Sequence, residues 1–137
     1  MSDRSSVPEL IQRHFRDLVA GDTEAITALV HEDFVQEWPQ SGERVRGKAA
    51  CFNIVRNYPG GPPRIELGAI TGEGDHWVVE ATSRYPDGTD YHMVAILELR
   101  DGMLAREVDY FGPTYPAPEW RRQWVEPIAD RGEGLAS

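Results

Sequence analysis

The sequence predicts an α+β domain in which helices come first and a curved antiparallel sheet follows, wrapping onto them as a cone. Three observations predict it. Helix signals end near Tyr58, and strand signals run from there to Phe111. The proline and glycine run Pro59-Gly60-Gly61-Pro62-Pro63 separates the two regions. The helix and strand signals do not alternate as they would in a doubly wound parallel sheet.

The first helix opens at Ser6-Val7-Pro8-Glu9, where serine and glutamate stand at capping-box spacing and proline falls in the tolerant first turn. Its apolar stripe is Val7, Leu10, Ile11, His14, Phe15 and Leu18, and Gly21 stops it. Asp22 caps a second helix carrying Ala25, Ile26, Leu29 and Val30. The run Asp33 to Trp38 reads as extended until Pro39 and Gly42 break it, and Gly47 to Tyr58 reads as a third helix. Beyond the proline run the chain is strand-like to about Arg100, with turns at Gly72–Asp75 and Pro86–Thr89. Asp101-Gly102 is a hairpin signal that leads into a last strand, Met103 to Phe111. The segment from Gly112 to Glu126 is rich in proline, carries Trp120 and Trp124, and is placed over the cone mouth or over a neighbouring subunit. One domain spans residues 1–137, with its core at about 7–126 and loosely held ends.

With 23 acidic residues against 14 Lys and Arg, the net charge of −9 argues against nucleic acid or an anionic membrane as the main partner. No uninterrupted apolar run approaches a membrane span, and the polar amino terminus lacks a secretory core, so a cytoplasmic protein is expected. A lone Cys51 excludes an internal disulfide framework and reads as a packing residue. His31 and His76 sit at element ends beside Glu32 and Asp75, and no His-x-His, His-x-x-x-His or Cys pair appears, so no metal is expected. No glycine-rich phosphate loop or nucleophile elbow stands in the chain, and no cofactor is expected.

The most informative residue is Asp109, a carboxylate inside the last strand. Strand alternation puts Ala105, Glu107, Asp109 and Phe111 on one face and Leu104, Arg106, Val108 and Tyr110 on the other. An acid on the buried face of such a strand has its charged form disfavoured, which makes it a better proton acceptor near neutral pH. His14, on an apolar helical stripe, is either a core histidine or the partner of that acid. Glu80 is read as a solvated or interface carboxylate, and His92 as a residue of the outer sheet surface. The Glu43/Arg44/Arg46 cluster is read as exposed ion pairs or as a gate at the mouth. Trp38, Phe52, Tyr58, Phe111 and Trp120 are candidates for contact with a flat apolar ligand.

The order of elements, together with Leu18-Val19-Ala20-Gly21-Asp22, His31-Glu32-Asp33-Phe34-Val35, Pro39 to Gly47, Leu99 to Gly102 and Asp109-Tyr110-Phe111, resembles the SnoaL-like proteins of the nuclear transport factor 2-like superfamily. The resemblance implies a cone-shaped α+β fold and a homodimer through the outer sheet face. It does not imply one reaction, since the fold hosts cyclases, isomerases, dehydratases, epoxide hydrolases and binding modules. The ketosteroid isomerase pattern would need an oxyanion tyrosine at His14, a base near Trp38 and an acid near Ala95, and none is present. The epoxide hydrolase pattern matches at Asp109, but its Arg-x-Asp pair falls on Val78 and Glu80. The SnoaL-like cyclases also place an acid/base residue near Asp109. The expected protein is therefore a small-molecule pocket protein of cyclase or isomerase type, with Asp109 and His14 acting on a hydrophobic cyclic carbonyl compound. The alternatives are a non-catalytic binding module and an epoxide hydrolase variant.

Overall fold

A computed structural model describes residues 6–20 and 29–128. The helix α1 (Val7–Ala20) begins with the capping box the sequence predicts: the Glu9 amide donates to Ser6 Oγ at 3.2 Å, and the Ser6 amide donates to Glu9 Oε1 at 3.0 Å. Its buried stripe includes Ile11, His14 and Phe15. Leu29 is helical, whereas the cap at Asp22 and the residues Ala25 and Ile26 lie outside the described residues. Then follow β1 (Val30–Trp38), β2 (Glu43–Arg46), α2 (Lys48–Arg56), β3 (Arg64–Glu73), β4 (His76–Arg84), β5 (Asp90–Arg100), β6 (Met103–Pro113) and a short 3₁₀ turn at Glu119–Trp124.

The six strands form one curved, unclosed sheet in the order β2-β1-β6-β5-β4-β3. Consecutive strands from β3 to β6 pair antiparallel, as the turn signals predict. Asp101 and Gly102 both have positive φ, 54° and 75°, the geometry a two-residue hairpin turn requires and the Asp-Gly pair supplies at low strain. Two features depart from the expectation. β1 runs parallel to β6, a pairing open to these two strands because no hairpin joins them. The short strand β2, read from the sequence as exposed ion pairs or a gate at the mouth and not as a strand, pairs antiparallel with β1. Its residues Glu43-Arg44-Val45-Arg46 are too few for a clear alternation, and only Val45 is buried.

α1 packs on β3, and α2 on β1 and β2, so both cover the concave face. The core there gathers Ile11, Phe15, Val30, Phe34, Val45, Val79, Ala95, Leu97 and Leu104. The convex face carries Glu80, Thr82, His92, Val94 and Tyr110 around a shallow hollow, as expected for Glu80 and His92. Among the described residues no helix is long and apolar enough to cross a membrane.

Candidate functional site

A cavity of about 490 Å³ opens between the concave face and the helices. Strand alternation builds its polar floor: Gln36 and Trp38 point inward from β1, Glu107 and Asp109 from β6, and the register sets Gln36 directly against Glu107. Its wall is aromatic. Tyr58, Tyr85, Tyr91 and Phe111 form a chain of edge-to-face contacts with ring centroids 5.3–6.0 Å apart.

Glu107 and Asp109 are 2% and 3% exposed, and among the described residues lining the cavity there is no lysine, arginine or histidine to neutralise them. Gln36 Nε2 donates to Asp109 Oδ2 at 2.7 Å and lies 3.5 Å from Glu107 Oε2. Trp38 Nε1 donates to the same Asp109 oxygen at 3.3 Å. The amide is oriented from behind by Cys51, whose Sγ lies 3.8 Å from Gln36 Oε1. Burial pushes the Cys51 thiol up to about 12, and the two acids push it the same way, so it stays a thiol and a weak donor.

Desolvation raises the pKa of Glu107 well above its ordinary value, and the negative charge of Asp109 raises it further. Asp109 is raised by desolvation too, but hydrogen bonds from Glu107, Gln36 and Trp38 to its charged form oppose the rise. Both carboxyls are thus pushed toward the protonated form, and hydrogen bonds to the charged form of Asp109 oppose the rise there. Asp109 Oδ2 takes the two fixed N–H donors. Oδ1 is buried and has no fixed donor, so it is the oxygen open to an entering molecule.

The structure brings some of the sequence candidates together and separates others. Asp109, Trp38, Tyr58 and Phe111 line the cavity. His14 does not line it. It lies behind Glu107, with Nε2 3.9 Å from Glu107 Oε1, too far for a hydrogen bond, and with Nδ1 unpartnered. That contact would be an ion pair only with a protonated imidazole, and burial lowers the pKa of His14 to about 4. Phe52 also misses the cavity and packs against the core, because on α2 it is Ile54 that turns toward the opening. Trp120 is 72% exposed on the 3₁₀ turn, away from the cavity, with Arg121 over its ring at 5.7 Å.

Glu107 and Gln36 were not among the candidates. Both were within reach of strand parity, which pairs Glu107 with Asp109 and Gln36 with Trp38. Among the described residues no group of three or more His, Cys, Asp or Glu side chains is placed to hold a metal ion.

A cone of curved sheet and covering helices, with polar groups projecting from the first and last strands into an enclosed hollow, defines a protein of the nuclear transport factor 2-like class. Within that class, residues 11–107 match the SnoaL-like domain, and the chain belongs to that family. A nuclear transport factor 2-like protein of unknown function from Burkholderia xenovorans LB400 is similar at 34% identity and a TM-score of 0.77, over 90% of this chain and 95% of that one. A candidate ketosteroid isomerase from Kribbella flavida is similar at 27% identity and a TM-score of 0.79, over 90% of each chain. An epoxide hydrolase of the limonene type from Mycobacterium tuberculosis shares the fold at 21% identity and a TM-score of 0.65, over 75% and 80% of the two chains. The uncharacterized protein YesE of Bacillus subtilis is 23% identical over 82% of this chain and 86% of its own length.

Proposed function

We propose that the protein moves a proton on a small, ring-bearing carbonyl compound held in this cavity, as a cyclase or isomerase does. One observation carries the reading: a buried carboxyl pair, without a facing cation, sits on the floor of a cavity with aromatic walls. Asp109, with Oδ1 open, takes the proton from the carbon beside the carbonyl. The electron pair of the broken C–H bond shifts into the enolate, and return of the proton to another carbon restores the carboxylate. Glu107, protonated, hydrogen-bonds Asp109 and supplies the pair's acidic member. His14 acts at one remove, as a neutral imidazole packed behind Glu107 that adds no charge to the pair.

The similarity to a candidate ketosteroid isomerase supports proton transfer as the chemistry. An epoxide hydrolase reaction is disfavoured, because the described cavity lining offers no arginine to position an epoxide and Glu80 stands on the opposite face of the sheet.

The test is exchange of the α-protons of 2-tetralone and related cyclic ketones in D₂O, followed by proton NMR. Wild type is expected to accelerate exchange saturably, and Asp109→Asn to lower the rate by roughly 10²–10⁴-fold with its circular dichroism spectrum unchanged. Equal exchange by the two proteins overturns the reading. Saturable binding with no exchange in wild type assigns the cavity to a binding module instead.

A further inference from the structure

We infer that this cavity sorts ligands by charge: it accepts ring compounds that are uncharged or positively charged and refuses anions of the same shape. The inference rests on the reading that the cavity is the substrate site, and it deepens that reading by naming the substrate class.

The first observation is the sign of everything that faces the ligand. Glu43, Glu107 and Asp109 line the cavity, where a protonated Glu107 still leaves two carboxylates, and the described lining carries no basic side chain. Three arginines next to lining residues in sequence are engaged with carboxylates, Arg84 among them, whose Nε donates to Asp90 at 3.0 Å. Arg44 Nε donates to Glu37 at 2.9 Å and Arg106 Nη2 to the same carboxylate at 2.8 Å, both on the outer side of the sheet. Lys48 Nζ lies 3.4 Å from Glu32 Oε1. A carboxylate or phosphate drawn into this lining would lose its hydration and meet like charge in a medium where charges are poorly screened.

The second observation is the aromatic wall. Tyr58, Tyr85, Tyr91 and Phe111 line both the cavity and an adjoining hollow of about 610 Å³, whose one charged residue among those described is Asp87. This hollow therefore carries the same sign of charge as the interior. Aromatic faces carry negative potential and attract an ammonium group while repelling an anion.

The third observation points to a ligand directly. Asp109 is buried at the cavity floor with Oδ1 lacking any fixed donor, and a hydroxyl or ammonium group on a ligand would provide one. A volume of about 490 Å³ suits a skeleton of two fused rings with a short substituent.

The experiment uses one skeleton with four substituents: 2-aminotetralin, 2-tetralol, 2-tetralone and 1,2,3,4-tetrahydronaphthalene-2-carboxylate, titrated into the full chain by calorimetry at pH 7.5. The amine is expected to bind at least as tightly as the alcohol, and the carboxylate at least tenfold more weakly than either neutral compound. In the double variant Glu107→Gln/Asp109→Asn the carboxylate should come within about threefold of the alcohol. The wild-type order alone decides the matter if that variant does not fold. Carboxylate affinity equal to or above that of the alcohol in wild type overturns the inference, and so does failure of all four to bind. If the order holds while ketone exchange is absent, charge selection stands and the proton-transfer reading falls.

Discussion

Two glutamates on neighbouring strands, Glu37 on β1 and Glu107 on β6, lie on opposite faces of the same sheet and receive opposite treatment. Glu37 faces out and is partly exposed, with Arg44 and Arg106 on its two oxygens at 2.9 and 2.8 Å. The hydrogen bond from Arg44, with a further one from Arg106, holds its pKa below the ordinary carboxylate value. Glu107 faces in beside another acid, and burial drives its pKa the other way. The same residue type is thus an ordinary surface ion pair on one face and a proton holder on the other. The difference is the company supplied by the fold: arginines projecting outward at Arg44 and Arg106, and a glutamine, a tryptophan and a neutral histidine inward.

The largest expected effect comes from the group that keeps the inner face free of positive charge. The pKa of His14 falls from an unfolded value near 6.5 to about 4. Between those values the unfolded chain binds a proton that the folded one does not. Its contribution to stability is therefore complete above about pH 6.5 and is lost as pH falls toward 4, by about 3 kcal/mol in all. His14→Leu should flatten this acid limb, measured as urea-unfolding free energy from pH 7 down to 4. An acid limb as steep as that of wild type would mean that His14 is protonated inside the fold and pairs with Glu107.

Glu107 should act with the opposite sign. Its raised pKa means that the folded protein keeps a proton the unfolded chain releases. That contribution is full below the ordinary carboxylate range and is lost as pH rises through the folded value. Glu107→Gln, which keeps a donor for Asp109 but cannot ionise, should be more stable than wild type above that value, on the order of 1–3 kcal/mol. Its cyclic-ketone exchange should keep the pH dependence that protonation of Asp109 gives and lose the part that titration of Glu107 adds. A variant less stable than wild type at every pH would show that the charged form of Glu107 is the one the fold accommodates.

The fold was largely legible because it is written in local signals. The capping box at Ser6 and Glu9, the Asp101-Gly102 turn and the proline run each act on neighbouring residues, and each is met in the structure as a helix start, a hairpin or a boundary. The parallel β1–β6 pairing was not legible, since it joins segments some seventy positions apart that carry no mark of each other. The site was legible by half. Asp109, Trp38, Tyr58 and Phe111 follow from strand parity and aromatic spacing, and they do line the cavity. His14 was set beside Asp109 because helical periodicity says which stripe faces inward; it cannot say that Glu107 comes between them. Glu107 escaped notice for a related reason. Strand parity puts it on the face of Asp109 and opposite Arg106, but a glutamate beside an arginine reads as solvated until the fold buries that face.

The smallest effect belongs to Glu37 and is the control that gives the comparison its meaning. Glu37→Gln removes the shared negative charge and one of the two oxygens that accept from Arg44 and Arg106, but both arginines reach solvent, and Arg106 keeps a second carboxylate, Glu98, at 3.5 Å. Exposed pairs of this kind contribute little and are screened by salt. The variant should therefore unfold at a slightly lower urea concentration than wild type in dilute buffer, and the gap should close as sodium chloride is added. Ketone exchange and the order of the four tetralin ligands should be unchanged, since Glu37 points away from the cavity. An exchange rate that fell with Glu37→Gln would mean that the outer pair sets the position of β1 finely enough to move Gln36 and Trp38 off Asp109, and the two faces would then be one device.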